Sequence, residues 1–372
     1  MHLDVIEKGW YTPTLLKMSF GVLTLTIRAV DLFCGAGGLT HGLVRTGIDV
    51  VAGYDIVETC RHAYEHNNNA KFINKSVTEL TASELAAHFD GAEVSLLAGC
   101  APCQPFSSYS RNRNSQDDER SELLGHFGEL VQQVKPDYVT MENVPGMLTK
   151  NIFQDFIKTL KDNDYQIDYR VVFCPDYGMA QSRKRLVLVA SRLGPISLIE
   201  PTHTPETYIT VRDVISSLPP LVAGEQHKDD PLHKASGLSD INHLRIKHSK
   251  PGGTWLDWPE YLRAECHKKD SGKTYIAVYG RMEWDKVSPT MTTQCTGFGN
   301  GRFGHPEQNR GISLREAALL QSFPRNYEFL PKSAKYDLAP LAKMIGNAVP
   351  VRLGEIVGQS IIEHARSHQL VV

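Results

Sequence analysis

Between residues 27 and 191, short and almost uninterrupted apolar runs alternate with segments of helical period, and this alternation constrains the fold more than any other feature of the chain. The runs are 27–33, 50–54, 94–98, 138–142, 166–173 and 185–191. Helical stretches lie between them at 58–67 and 121–134, and Thr81-Ala82-Ser83-Glu84 reads as a capping box opening a helix that ends near Asp90-Gly91. A strand that is apolar at every position, rather than at every second one, must be covered on both faces. Helices returning between such strands supply the cover, so the pattern predicts an α/β fold with a doubly wound, mostly parallel sheet. Ligands bind these sheets beyond the carboxyl ends of the strands.

Beyond Arg192 the character of the chain changes. Pro195, Pro201, Pro205, Pro219, Pro220, Gly252 and Gly253 interrupt the periodicity, and histidines and lysines gather between 243 and 273. Loop-rich stretches of this kind carry variable recognition surfaces. Order returns at Ser313-Leu314-Arg315-Glu316, a second capping box, and in a last helix that follows Pro350 and reaches about His364. The 372 residues therefore divide into an extension (1–26), an α/β domain (27–192), a second, smaller, irregular domain (193–335) and a segment returning to the first domain (336–372). Residues 1–17 lack the layout of a signal peptide, and they read as an alternative-start extension or an arm ahead of Met18. No run of 18 apolar residues exists, so no membrane span is expected. Seven scattered cysteines do not make a disulfide scaffold and point to a reducing cytoplasm. The formal net charge of −2 neither announces nor excludes a polyanionic partner, because a local basic surface is enough to steer one.

Asp31-Leu32-Phe33-Cys34-Gly35-Ala36-Gly37-Gly38 sits where the first strand gives way to a short helix that stops near Gly47. Glycines there allow a ligand close to the backbone, and Asp55, at the end of the second strand, stands where an acid bonds ribose hydroxyls. A dinucleotide fingerprint needs a third glycine at position 40, which is Thr40. That disfavours NAD or FAD and leaves a nucleoside cofactor without a pyrophosphate, or a plain tight turn.

Two chemically capable groups follow later strands. Pro102-Cys103-Gln104-Pro105-Phe106 comes after 94–99, and Glu142-Asn143-Val144 ends the strand 138–142. A thiol and a carboxyl on neighbouring strand ends can meet over one pocket. Cys34, Cys60, Cys174, Cys266 and Cys295 take the ordinary reading of a small buried hydrophobe. Cys100 and Cys103 form a C-x-x-C, which suits a redox pair or half a zinc site. There is no second C-x-x-C and no histidine at ligand spacing near it, so no metal is expected; Cys103 reads as a nucleophile and Cys100 as strand-end packing. In Gln181-Ser182-Arg183-Lys184-Arg185 the residues Gln181, Arg183 and Arg185 share one side by strand period; the alternative is a solvated basic turn.

Taken in order, these blocks resemble the cytosine-C5 DNA methyltransferase family, of the bacterial restriction-modification type. The resemblance rests on Asp31 to Gly38, Gly99-Cys100-Ala101-Pro102-Cys103-Gln104-Pro105-Phe106-Ser107, Glu142-Asn143-Val144 and Gln181 to Arg185. Arg315-Glu316-Ala317-Ala318-Leu319-Leu320-Gln321-Ser322-Phe323-Pro324 and Ile345-Gly346-Asn347-Ala348-Val349-Pro350 complete it. It implies that S-adenosylmethionine lies over the glycine turn, lined by Phe33, Cys34, Gly35, Ala36 and Gly38, with Asp55 on the ribose and Ile56 on the adenine. Pro102 and Leu123, following Arg120, are implied near the cofactor, and Asn347 and Val349 close the pocket. Where relatives carry an Asp on the adenine amino group, this chain has Ser76, followed by Val77.

The implied chemistry explains the residue types. C5 of cytosine is a poor nucleophile, and addition of the Cys103 thiolate to C6 makes it an enamine carbon. A free thiol has a pKa of about 8.5, so the site must favour the thiolate. Glu142 would hold N3 and the exocyclic amine, Arg185 would bind O2 with Arg183 nearby, and the base must be flipped out of the duplex. Gln104 and Ser107 would fill the gap or hold a phosphate. Target choice would come from 195–312, with His243, Arg245, Lys247, His248, Lys250, Lys268, Lys269 and Lys273 on phosphates. Gln181, Arg281, Gln294 and Asn300 are the candidates for target contact. The implied partner is double-stranded DNA, with a cognate restriction endonuclease acting separately and the enzyme a monomer in the bacterial cytoplasm. Competing readings are a tRNA cytosine-C5 methyltransferase of the same fold, a catalytically silent nucleic-acid-binding relative, and a nicotinamide oxidoreductase. The last leaves Cys103 and Glu142 without a task.

Overall fold

The computed structural model describes residues 26–102, 117–331, 333–334 and 336–368, without the side chains of 117–121, 271 and 273. Its strands are β1 Ile27–Leu32, β2 Asp49–Asp55, β3 Lys71–Asn74, β4 Val94–Gly99, β5 Tyr138–Asn143, β6 Gln166–Phe173, β7 Gln181–Ser182, β8 Lys184–Ser191 and β9 Ser288–Pro289. One seven-stranded sheet has the order β3-β2-β1-β4-β5-β8-β6, and β7 pairs with β9 alone. Pairing from β3 through to β5 is parallel. The chain proceeds outward from β1 to β3 on one side and resumes at β4 on the other. A crevice therefore opens beyond the carboxyl ends of β1 and β4, the topological switch point.

Both faces of this sheet are covered. On one, Ile27, Ala29, Val50, Leu96 and Ala98 pack under α1 (Gly38–Arg45) and α2 (Arg61–Asn68), and under α11 (Val351–Ser367), which returns from the far end of the chain. On the other, the intervening residues Val30, Leu32, Ala52, Leu97 and Val139 pack under α3 (Ala82–Ala87), α4 (Asp117–Val134) and α5 (Asn151–Asp162). Period-2 alternation sends neighbouring residues to opposite, equally apolar layers, which is why these strands read as unbroken apolar runs. The expected capping box at Thr81 forms, with Thr81 and Glu84 bonding each other's backbone.

The structure departs from the expected pattern at one edge. β8 runs antiparallel to both β5 and β6. No crossover helix separates β6 from β8, and two strands joined by a short connection can pair only antiparallel. The short edge strand β3 and helix α5 were not among the expected elements; β3 has only four residues, with one buried.

In the second half of the chain lie α6 (Val211–Ile215), α7 (Asp240–His248), α8 (Glu265–Lys268), α9 (Leu314–Leu320) and α10 (Leu338–Asn347). Residues from Ile196 to Leu232, and from Met282 to Phe329, share the core on the α1 face of the sheet. Among the described residues of this half, Ile246, Trp255, Trp258, Leu262 and Phe298 form an apolar cluster of their own. The Ser313 capping box forms at α9, and its Glu316 also takes both outer nitrogens of the buried Arg310 at 2.7 Å. Among the described residues no helix is long and apolar enough to cross a membrane.

Candidate active site

The glycine turn leaves β1 through a run of left-handed backbone: Phe33 has φ 59°, Gly35 50° and Gly37 86°. For Phe33 this conformation is costly, and such strain gathers at functional turns. Cys34 N–H donates to the Tyr54 carbonyl (3.1 Å), and the Cys34 carbonyl accepts from Gly37 N–H (2.9 Å). Asp55 braces the turn from β2: Oδ2 accepts from Gly35 N–H at 2.9 Å and Oδ1 from Val57 N–H at 2.8 Å. Burial raises the Asp55 pKa, and the backbone N–H bonds oppose that. A Cβ on Gly35 would meet no atom within 4 Å, so the turn is open on that side. Ile56, 70% exposed, follows directly. An open turn, a carboxylate and an unburied apolar side chain thus stand together at neighbouring strand ends, where a nucleoside could be held.

Thr40 explains the broken fingerprint. Its hydroxyl donates to Asp31 Oδ2 (2.7 Å) and lies 3.1 Å from the Tyr64 hydroxyl. Asp31 is buried, its Oδ1 has no hydrogen-bond partner, and desolvation lifts its pKa to about 7. A glycine at position 40 would remove the hydroxyl donor to this carboxyl.

Several residues expected to line the cofactor turn elsewhere. Gly38 is filled by protein: a Cβ there would sit 2.1 Å from the Val349 carbonyl. Its lack of a side chain therefore admits the 347–349 segment, which brings Val349 and the exposed Asn347 to the turn. Val77 sends its side chain into the core, which leaves only its backbone for a ligand. Ser76 caps its own 3-10 turn, accepting from Thr78 N–H at 3.3 Å. Cys34 and Ala36 are buried; burial pushes the Cys34 thiol pKa up, and the Ala36 carbonyl accepts from the Tyr327 hydroxyl at 2.5 Å. Phe33 and Leu123 are half-buried and Pro102 is exposed.

The second group of residues gathers where β4 and β5 end side by side, Gly99 paired with Met141. Glu142 is 6% exposed. Cys100 Sγ donates to its Oε2 at 2.9 Å. Arg185 Nε stands 2.8 Å from Oε1, yet its N–H is not aimed at that oxygen, which accepts no hydrogen bond. Asn143 Nδ2 donates to the Ala101 carbonyl at 3.1 Å and so fixes the backbone two residues before position 103. Cys103, Gln104 and Ser107 lie outside the described residues, as do residues 1–25 and the side chains of Arg120 and Lys273. The roles of Cys100 and Asn143 were missed from sequence; their only signal was proximity to Cys103 and Glu142.

Gln181 and Arg183 are buried, whereas Arg185 is half-buried beside Glu142. Gln181 is a structural tie: its amide donates to the Leu320 carbonyl (3.0 Å) and Gln321 Oε1 (2.9 Å), and its oxygen accepts from Met291 N–H (2.8 Å). Both its polar atoms are engaged and it is 1% exposed, so it is not presented to a target base. Arg183 is buried with its outer nitrogens on the carbonyls of Met291 and Ala348, its Nε without a partner. Desolvation, reinforced by Arg185, lowers its pKa to about 10. Arg281 is also corrected. It is 4% exposed, with its guanidinium on the carbonyls of Ile246, Ser249, His305 and Gln308 and on Asn309 Oδ1, so it reads no base edge. Arg245 is half-buried, bonds the Leu262 carbonyl and Asn242, and lies over Trp258 and Tyr279. Lys268 pairs with Glu265, and His243 is half-buried. Lys247, His248, Lys250, Lys269, Gln294 and Asn300 remain exposed.

Comparison with known proteins points one way. The model of the family described as C-5 cytosine-specific DNA methylase matches residues 27–363. The chain is 53% identical over 335 residues to Type II methylase M.HgiDII of Herpetosiphon aurantiacus, covering 89% of this chain and 94% of that protein. It is 30% identical over 348 residues to Type II methyltransferase M1.HphI of Haemophilus parahaemolyticus, covering 92% and 88%. Among solved structures, it resembles a putative DNA modification methyltransferase encoded within an Escherichia coli prophage, with a TM-score of 0.70 at 22% identity over 91% of this chain and 99% of that one.

Proposed function

The chain belongs to the C-5 cytosine-specific DNA methylase family, and on that premise we propose how its residues divide the work of methylating C5 of a cytosine in double-stranded DNA. The methyl donor of this family is S-adenosylmethionine, which supplies an electrophilic methyl group when bound. The residues at the crevice fit it. Gly35 leaves room at the turn, each Asp55 oxygen keeps a lone pair for a ribose hydroxyl, and exposed Ile56 offers an apolar face to a purine ring.

The reading is carried by Glu142 Oε1, a buried carboxylate oxygen with no hydrogen-bond donor, held beside Arg185 at the end of β5. Burying such an oxygen without a hydrogen-bond donor is costly even beside a guanidinium, so the site is preorganised for a donor that arrives with the substrate. Cytosine protonated at N3 and carrying its exocyclic amine presents two donors in one plane, and Arg185 then faces O2. Asn143 anchors Ala101, and the chain leads on to Cys103. In this assignment the Cys103 thiolate adds to C6, electron density moves to C5, and Glu142 keeps the proton at N3. After methylation, loss of the C5 proton and departure of Cys103 restore the aromatic ring. The target cytosine must leave the helix first, at a cost of a few kcal/mol. Exposed Lys247, Lys250 and Lys269 serve the phosphates, and Gln294 and Asn300 are the remaining candidates for base contact. Similarity to two Type II enzymes supports a role as the modification half of a restriction system acting on host DNA.

The test is bisulfite sequencing of plasmid from cells expressing the chain, beside Cys103→Ala and Glu142→Gln. Wild type should protect one sequence context. Cys103→Ala should abolish methylation while DNA binding persists, and Glu142→Gln should slow single-turnover transfer by about 100-fold or more. Methylation surviving Cys103→Ala would remove the covalent step. A normal rate in Glu142→Gln would remove the proton-holding role.

A further inference from the structure

Helix α2 carries His62 and His66, separated by one helical turn, so their side chains share a face. Their rings stack with centroids 5.0 Å apart and planes 18° from parallel. Glu328 faces both from the segment after α9: its Oε2 lies 3.7 Å from His62 Nε2 and 3.4 Å from His66 Nε2. The three ligand atoms fall within 4.8 Å of one another.

These separations are informative. His62 Nε2 is buried and has no hydrogen-bond partner. A direct N–H···O hydrogen bond to Glu328 would need about 3.2 Å or less. Donors bound at about 2.1 Å around a tetrahedral zinc ion stand about 3.4 Å apart, close to the 3.4 and 3.7 Å that separate Glu328 from the two imidazoles. The frame is also fixed. Asn67, on the same helix, donates from Nδ2 to the Glu328 carbonyl (2.9 Å) and accepts from Glu328 N–H (3.0 Å). Two neutral imidazoles and one carboxylate suit a borderline metal rather than magnesium or calcium, and partial exposure of His66 and Glu328 leaves a fourth position to water.

We propose that His62, His66 and Glu328 form a binding site for a divalent transition metal of the zinc class, with water as the fourth ligand. The sequence led to an expectation of no metal, because only the fold brings Glu328 to the histidine pair. Two of its three protein ligands stand on α2 rather than on a strand end. The site ties α2 to the residue following Tyr327, whose hydroxyl bonds the Ala36 carbonyl of the glycine turn. A bound ion would therefore brace one wall of the cofactor cradle without touching the reacting atoms.

The test uses the full chain, stripped with chelator, and zinc and cobalt(II) as probes. Isothermal titration and thermal melting read zinc; visible absorption reads cobalt geometry and whether sulfur is a ligand. Wild type should bind one zinc ion here, melt at higher temperature with zinc, and give a tetrahedral cobalt spectrum without sulfur-to-metal charge transfer. His66→Ala, at a half-exposed position, should fold normally without metal, lose about tenfold or more in zinc affinity, and lose the zinc-dependent rise in melting temperature. Glu328→Gln should behave likewise. Zinc binding equal in wild type and His66→Ala, a cobalt spectrum dominated by thiolate, or no zinc effect on wild-type melting would each overturn the proposal. None of these outcomes bears on methyl transfer, which bisulfite sequencing reads separately.

Discussion

Glu142 and its neighbours show how much depends on single donors. Cys100 is outside the proposed covalent chemistry, yet its thiol holds Glu142 Oε2. As a positioning residue it should affect rate more than binding. Cys100→Ala is expected to lower kcat by roughly fivefold, about 1 kcal/mol, with KM for DNA and cofactor little changed, and Cys100→Ser should restore most of the rate. A rise in KM alone would point to packing instead. Asp31 provides a second prediction at this scale. Its carboxyl, lifted by burial to about 7, binds its proton more tightly when folded. Its contribution to stability is therefore full below the unfolded pKa and is lost as pH rises through about 7. Asp31→Asn cannot ionise, so its stability relative to wild type should improve between about pH 4 and about pH 7 and level off above that, measured by urea unfolding. A difference independent of pH would show that Asp31 is not neutral in the fold.

Elements meet the site through close approaches that side chains would block. Gly38 opens α1 against the Val349 carbonyl, so Gly38→Ala must push the 347–349 segment away from the glycine turn. Overpacking of this kind costs about 1–3 kcal/mol. The variant should melt several degrees lower and bind S-adenosylmethionine more weakly, as calorimetry would show; unchanged cofactor affinity would separate that segment from the cradle. The helix starts at Thr81 and Ser313 were readable because a capping box is a local pattern with a local reason. The direction of β8 was not so clear, since an apolar run is the same read either way. What sets it is the short connection from β6 and the vacant edge of β5.

Across the whole molecule, positive charge falls into two populations that sequence alone does not separate. Arg281 lies under the surface and gathers carbonyls from two separate stretches of chain, 246–249 and 305–308. Lys247 and Lys250 stand in solvent a few residues from its partners. Arg281→Ala should destabilise the protein by about 3 kcal/mol or more, because several buried acceptors lose their donor together. Lys247→Ala with Lys250→Ala should leave melting unchanged and reduce the slope of log DNA affinity against log salt by up to about 2. A loss of stability in the lysine pair, or none in Arg281→Ala, would reverse the assignment. What the amino-acid order determined by itself was local: unbroken apolar strands, the glycine turn with Asp55 one strand away, the capping boxes, and Cys103 and Glu142 placed after successive parallel strands. The tertiary structure decided which polar groups are spent on the protein's own backbone and which remain free. It turned Gln181 and Arg281 inward, set Cys100 against Glu142, filled Gly38 with Val349 and faced Glu328 to His62 and His66. The physical reason is that a hydrogen bond or a metal ligand is completed by a partner far along the chain, and only folding brings that partner within reach.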